Sequence, residues 1–259
     1  MTRLVLLSGW GIDARIWQPL MTSLPADIDV STPDWPGYGT RQGTDTPEDL
    51  TTLARAMADD LRQDSLWVGW SLGGLLATAL LKHLPAPKSL VLLGMRERFT
   101  TLDAARGGVT PSALATFNDA FQHNPLAAWR HFLRWQLSGE PSPRHAHRQL
   151  QALIGKEPPA TYASLAIGLD WLERLDNTGI CASPPCPILT VTGERDPLTA
   201  IADPASAHHM SRSIEQAGHC PQLSQPQILA GRLAALAHEH EINLHADTHP
   251  LPHGEPPCT

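Results

Sequence analysis

The sequence is short of several things, and each absence narrows what the chain can be. No apolar run reaches the roughly 20 residues that a membrane-spanning helix needs, so no membrane role is expected. No internal repeat and no long low-complexity tract appears. Cations are scarce: 19 Lys and Arg stand against 26 Asp and Glu, a net charge of −7, which argues against a general nucleic-acid binder. Cysteine is limited to Cys181, Cys186, Cys220 and Cys258, whose spacings match no zinc pattern, so free thiols and no metal site are expected. The opening "MTRLVLLSGWG" enters a strand at once, and no small-residue cleavage site follows it. A cytoplasmic protein without a signal peptide is therefore expected. The 259 residues suit one large α/β domain, or a core with an insert.

Against that background one stretch stands out. "LWVGWSLGGLLATALL", Leu66 to Leu81, is almost wholly apolar yet carries a single serine among Gly69, Gly73 and Gly74. Leu66 to Val68 reads as the end of a buried strand and Leu75 to Leu81 as a helix. Gly-Trp-Ser-Leu-Gly between them fits G-x-S-x-G, the nucleophile elbow of α/β-hydrolases. A strand that turns directly into a helix forces its corner residue into a strained conformation, and glycines two positions before and after let the two backbones approach. The serine hydroxyl then stands near a helix N-terminus, which favours developing negative charge. A glycine-rich turn in some other α/β protein is the plainer reading of the same five residues.

Buried parallel strands are expected at Leu4–Leu7, Ser65–Val68, Ser89–Leu93 and Ile188–Thr192, with weaker candidates at Asp27–Ser31 and Ser213–Glu215. Helices are expected at Pro47–Leu61, with Thr46 as its N-cap, and at Leu72–Leu84. From about Arg96 to Ala182 no strand is convincing, but helical stretches lie around Pro111–Gln122, Pro125–Leu137, Pro143–Ile154 and Pro159–Arg174. An all-helical insert between strands of a parallel sheet is most simply a lid over the strands' carboxyl ends. The expected organisation is core in 1–95, lid in 96–182, core again in 183–240, and a disordered, proline-broken tail in 241–259. Histidines 238, 240, 245, 249 and 253 fall in or near that tail, where solvation explains them better than a metal.

A serine needs a base, and the base needs a carboxylate to orient it. In an elbow fold these follow in the order Ser, acid, His. "TVTGERDPL" sets Asp196 just after one strand, and "QAGHCPQLSQP" sets His219 in a glycine-led loop after the next. Ser71, Asp196 and His219 are the candidate triad, with Glu194 and Asp203 as rival acids. Cys220, beside His219, reads as a small filler rather than a nucleophile. The oxyanion requires two N–H donors. Leu72 supplies one as the residue after the nucleophile, and Trp10, in the loop "LLSGWGID", is the candidate for the other. Its indole would also wall the acyl pocket.

Together "SGWGIDARIW", "PDWPGYGTR", "WVGWSLGG", "VTGERDPL" and "GHCPQL" resemble the α/β-hydrolase superfamily. The closest resemblance, to about residue 238, is to the pimeloyl-acyl-carrier-protein methyl ester esterases of biotin synthesis. It implies about six mostly parallel strands flanked by helices, with a helical lid inserted. It also implies cleavage of the methyl ester of a pimeloyl chain borne on acyl carrier protein, with neither metal nor cofactor. The family's lid holds a Phe-Leu-x-x-Gln segment, matched here by Phe132, Leu133, Arg134, Trp135 and Gln136. The histidine that usually precedes the oxyanion Gly-Trp is Ser8, and the leading antiparallel hairpin has no counterpart.

Helical geometry, at about 100° per residue, sets Trp129, Phe132, Leu133 and Gln136 on one face and Arg130 and Arg134 on another. Trp10, Ser71, Leu72, Trp129, Phe132, Leu133, Arg134, Trp135, Gln136 and His219 are the expected substrate contacts. Between Trp129 and Leu150 the only acid is Glu140. Arg130, Arg134, Arg144 and Arg148 would thus form a basic patch for the acidic carrier, and the resemblance matches Arg144 and Arg148 to carrier-binding arginines. A monomer is expected. A broad short-chain carboxylesterase, or a lyase using the same triad, is the alternative.

Overall fold

Apolar runs without polar alternation, such as Leu4–Leu7 and Leu90–Leu93, suit strands covered on both faces. The computed structural model describes residues 3–101, 103, 107–199 and 210–247, and it places these runs at the centre of one sheet. Its strands are β1 (Arg3–Leu7), β2 (Asp29–Ser31), β3 (Ser65–Trp70), β4 (Ser89–Leu93), β5 (Ile188–Gly193) and β6 (Met210–Ile214). They lie in the order β2-β1-β3-β4-β5-β6, and all five pairings are parallel. After β1 the chain runs to one side of the sheet and then crosses back to β3. The carboxyl ends of β1 and β3, in register at Leu7 and Gly69, therefore frame the switch point where such sheets take ligands.

The helices are α1 (Gln18–Ser23), α2 (Leu50–Met57), α3 (Leu72–Leu80), α4 (Pro111–His123), α5 (Pro125–Gln136), α6 (Pro143–Ile154), α7 (Tyr162–Arg174), α8 (Thr178–Ala182), α9 (Pro221–Ser224) and α10 (Pro226–Asp247). Every residue of α3 is buried, which is why its leucines and alanines show no amphipathic period. Each of Leu75, Leu76 and Leu80 contributes about 1.5–3 kcal/mol by that burial. Helices α4 to α8 fall between β4 and β5, and among the described residues of that segment no strand occurs beyond isolated bridges of Thr100 with Val109 and of Ala160 with Tyr38. Thr110, Asn124 and Thr161 cap α4, α5 and α7 with their side chains, and a proline opens α4, α5 and α6. At the far end of the insertion Asn177 ties it to the core, donating from Nδ2 to the Leu75 carbonyl at 2.9 Å.

Two expectations need correction. Helix α2 starts at Leu50, not Pro47, and its cap is Asp49, not Thr46. Asp49 has extended backbone and accepts from the Thr52 N–H at 2.9 Å, a bond that also holds its carboxyl below the usual range. Thr46 instead donates its hydroxyl to the Pro36 carbonyl. The second concerns the tail. Helix α10 continues to Asp247, past the Glu241 boundary, because "EINLHAD" contains no breaker before Pro250. Residues 248–259, with His249, His253 and Cys258, lie outside the described residues, as does the rival acid Asp203. Among the described residues no helix is long and apolar enough to cross a membrane, and no group of three or more His, Cys, Asp or Glu could hold a metal.

Candidate active site

Ser71 sits between β3 and α3 at φ 54° and ψ −127°, a conformation that costs a residue with a Cβ about 1–3 kcal/mol. The surroundings over-determine it. Its N–H donates to the Leu93 carbonyl of β4 at 2.9 Å, and its carbonyl accepts from Gly74 N–H at 2.9 Å. The flanking glycines are there for space: a Cβ at Gly69 would overlap the Gly74 backbone, and one at Gly73 would stand 2.6 Å from the Leu7 carbonyl oxygen. The loop after β1 comes as close, since a Cβ at Gly9 would lie 2.9 Å from that of Ser71. Trp10 and Leu72, the two expected oxyanion donors, are thus chain neighbours of atoms in contact at the switch point.

Asp196 and His219 meet as the sequence order requires. His219 Nδ1 lies 2.8 Å from Asp196 Oδ2, and both side chains are almost wholly buried. The carboxylate is held from several sides: Oδ1 accepts from the N–H of Leu198 at 2.9 Å and of Thr199 at 3.2 Å, and Oδ2 accepts from the Thr199 hydroxyl at 2.9 Å. An acceptor on Nδ1 directs that nitrogen's proton outward and leaves Nε2 as the basic atom. His219 Nε2 is buried and has no hydrogen-bond partner. The Ser71–His219 bond is therefore not made in this structure. Glu194, the other described rival acid, is exposed and accepts from the Gln216 N–H instead. Cys220 is fully buried, and burial, with Glu140 and Asp196 nearby, pushes its thiol far above the ordinary range, so it offers no nucleophile.

Sequence reasoning missed three supports of this pair. Trp70 Nε1 donates to the His219 carbonyl at 2.8 Å. Thr199 binds both Asp196 and the Gly94 carbonyl. Gly94 itself has φ 58°, and a Cβ there would stand 3.0 Å from His219 Nδ1. A glycine directly after β4, at the same sheet edge as Ser71, was the available signal for the last.

The insertion meets the site through Trp10. Its Nε1 donates to the Leu165 carbonyl of α7 at 2.8 Å, and its ring lies edge-on to Phe117, Phe121 and Phe132. Trp129 is buried with Nε1 donating to the Gly11 carbonyl at 2.8 Å, and Leu133 and Gln136 are buried on the same helix face. Both amide atoms of Gln136 lack partners. Trp135 is half-buried and Arg134 exposed. A small recess, open to solvent, lies beside Leu72 and is lined by Trp35, Tyr38, Leu76, Gly168 and Trp171 among others. Trp129, Phe132 and Leu133 are not among its walls.

The four arginines divide. Arg130 is paired with Glu157 at 3.0 Å, which takes it out of the free basic patch. Arg134, Arg144 and Arg148 are exposed and make no ion pair among the described residues. His147 lies in the same patch, its imidazole held below the ordinary value by partial burial and then by the Arg134 charge.

The alpha/beta hydrolase family model matches residues 4–232. The pimeloyl-acyl-carrier-protein methyl ester esterase of Vibrio parahaemolyticus is 30% identical, over 86% of this chain and 89% of its own length. That of Edwardsiella ictaluri is 31% identical, over 90% and 92%. Among solved structures, an esterase from Exiguobacterium antarcticum overlays with a TM-score of 0.75 at 18% identity, covering 92% of each chain. A bromoperoxidase from Bacillus anthracis reaches the same TM-score at 15% identity and equal coverage. At such identities, likeness to proteins of two different activities speaks for the fold alone.

Proposed function

The chain belongs to the alpha/beta hydrolase family, and from that premise we propose that it is a serine carboxylesterase which hydrolyses the methyl ester of a pimeloyl chain carried on acyl carrier protein. Ser71 Oγ attacks the ester carbonyl while His219 Nε2 takes its proton. The tetrahedral oxyanion is held by the backbone N–H groups of Trp10 and Leu72. His219 then gives the proton to departing methanol, leaving an acyl-enzyme on Ser71. Water, activated by the same imidazole, releases the pimeloyl carrier. Asp196 holds the ring in the right tautomer and stabilises the imidazolium. No step calls for a metal or a cofactor.

The observation that carries the chemistry is the buried His219–Asp196 pair at 2.8 Å, its free Nε2 at the same sheet edge as a serine held at positive φ. The substrate reading rests on the relatives' stated activity, spread over nearly the whole chain. Helices α4 to α7 are read as a lid, with Trp10, Phe132 and the apolar face of α5 closing the acyl side. Arg134, Arg144 and Arg148 offer an acidic carrier its landing surface, since association of charged partners is steered by such fields. Arg130 contributes less, being paired already.

The test is genetic. Expression of this chain in a biotin auxotroph lacking the pimeloyl-carrier esterase is expected to restore growth without biotin, whereas Ser71→Ala is not. Hydrolysis of p-nitrophenyl acetate without rescue of the auxotroph would replace the reading by that of a broad short-chain esterase.

A further inference from the structure

Glu140 is the one acid in a basic stretch of the insertion, and its side chain does not face solvent. It lies in the connector between α5 and α6, where it is 4% exposed. Its two carboxylate oxygens divide between two amides. Oε2 accepts from Gly218 N–H at 3.1 Å and Oε1 from Cys220 N–H at 2.7 Å. Those are the residues immediately before and after His219. The connector is pressed onto both catalytic loops at once. A Cβ at Gly139 would overlap the Arg195 carbonyl, next to Asp196, and a Cβ at Gly218 would lie 2.7 Å from Glu140 Oε1. No ion pair to Glu140 occurs among the described residues.

A buried carboxylate without a cation is an expensive way to brace a loop, because a neutral carbonyl would satisfy the same N–H groups at lower desolvation cost. What a carboxylate adds is charge. Its bonds to the two amides are roughly twice as strong as neutral ones, and its field favours positive charge on the imidazole between them. We propose that Glu140 is a positioning residue for the base, a clamp supplied by the lid that sets the His219 loop and stabilises the imidazolium formed as Ser71 loses its proton. The proposal rests on the reading of Ser71, Asp196 and His219 as the triad. It means that the base is held by Asp196 at its ring, by Trp70 at its carbonyl and by the lid at its flanking amides. The lid would then do more than cover the substrate: its seating would set the competence of the base.

The experiment compares wild type with Glu140→Gln and Glu140→Asp on p-nitrophenyl acetate across pH. Turnover is counted per site titrated with a fluorophosphonate, so unfolded molecules do not enter, and thermal unfolding is followed in parallel. The ionisable groups set against the His219 loop are Asp196, Glu140, the exposed Glu194 on the Gln216 N–H, and the neutral Cys220 thiol. Glu140→Gln is expected to lower kcat about 10- to 100-fold, the scale of a small misplacement, with KM within about twofold. It should also move the acid limb of kcat/KM to lower pH, because an imidazole that loses a neighbouring negative charge is protonated less readily. Glu140→Asp should return the acid limb towards wild type while recovering only part of kcat, since it keeps the charge and shortens the reach. Wild-type kcat and an unmoved acid limb in Glu140→Gln, whatever its melting temperature, would overturn the proposal and leave a structural brace. Ser71→Ala and His219→Ala, run alongside, separate this failure from that of the triad: they are expected to be inactive, and if they retain hydrolysis the reading beneath falls with it.

Discussion

The sheet edge around Ser71 and the helical insertion between β4 and β5 are specified in different ways. At the edge, single atoms decide. Gly69 cannot take a Cβ because Gly74 is there, Gly73 because the Leu7 carbonyl is there, and Ser71 itself is held at φ 54° by backbone bonds to its neighbours. In the insertion, faces decide. Helix α5 buries Trp129, Phe132, Leu133 and Gln136 and exposes Arg130 and Arg134, and many side chains of similar size could fill the same roles. The first kind of constraint tolerates almost no substitution, and the second tolerates many with graded cost. Chemistry is therefore expected to fail abruptly at the edge, and substrate choice to drift gradually with changes in the insertion.

The sharpest way to break that contrast is at Ser71. Ser71→Ala is expected to lower esterase kcat by about 10⁴- to 10⁶-fold with the fold retained, as measured with p-nitrophenyl acetate and circular dichroism. Ser71→Gly should be equally inactive yet more stable, by about 1 kcal/mol in urea unfolding, because glycine accepts the strained backbone. Next in size is Asp196→Asn, expected to lower kcat by about 10³- to 10⁴-fold by favouring the wrong imidazole tautomer. Retained activity there would assign the acid's role elsewhere. Gly69→Ala follows: overlap with the Gly74 backbone should remove more than about 4 kcal/mol of stability, read as loss of soluble protein or a large fall in Tm.

Changes in the insertion should be milder. Arg144→Glu with Arg148→Glu is expected to raise KM for a carrier-bound ester about tenfold, to spare a small free ester, and to lose its effect as salt rises. The smallest change is Arg130→Ala. Its pair with Glu157 is largely exposed, so no more than about 0.5 kcal/mol of stability and little carrier affinity should be lost, checked by urea unfolding and the same KM series.

The same contrast explains what could be read in advance. All six strands lay within a few residues of their expected places; β1, β3, β4 and β5 announce themselves as apolar runs, whereas β2 and β6, Asp-Val-Ser and Met-Ser-Arg-Ser-Ile, lack one and were the weaker candidates. The strained corner at Ser71 and the pairing of Asp196 with His219 were legible, because such a turn needs particular residues at particular spacings and its partners follow in a fixed order. Local competition was harder to see. Thr46 and Asp49 are both good caps, and only the Thr46 bond to the Pro36 carbonyl decides for Asp49. Long-range pairing left almost no trace. Glu140 meets amides 78 and 80 residues further along the chain, and nothing periodic connects the two segments. Its isolation among basic residues was the only sign that it did something other than decorate a surface. Arg130 misled for the same reason, since its partner Glu157 lies beyond the helix on which the basic face was counted.

The central claim is that Ser71, activated by His219 at this edge, cleaves a carrier-bound methyl ester. It is tested most directly by incubating pimeloyl-carrier methyl ester with purified wild type and with Ser71→Ala and weighing the carrier by intact mass spectrometry. Wild type is expected to remove one methyl group as methanol within minutes while the variant leaves the ester whole. An ester untouched by wild type, or one cleaved as fast by Ser71→Ala, would contradict it.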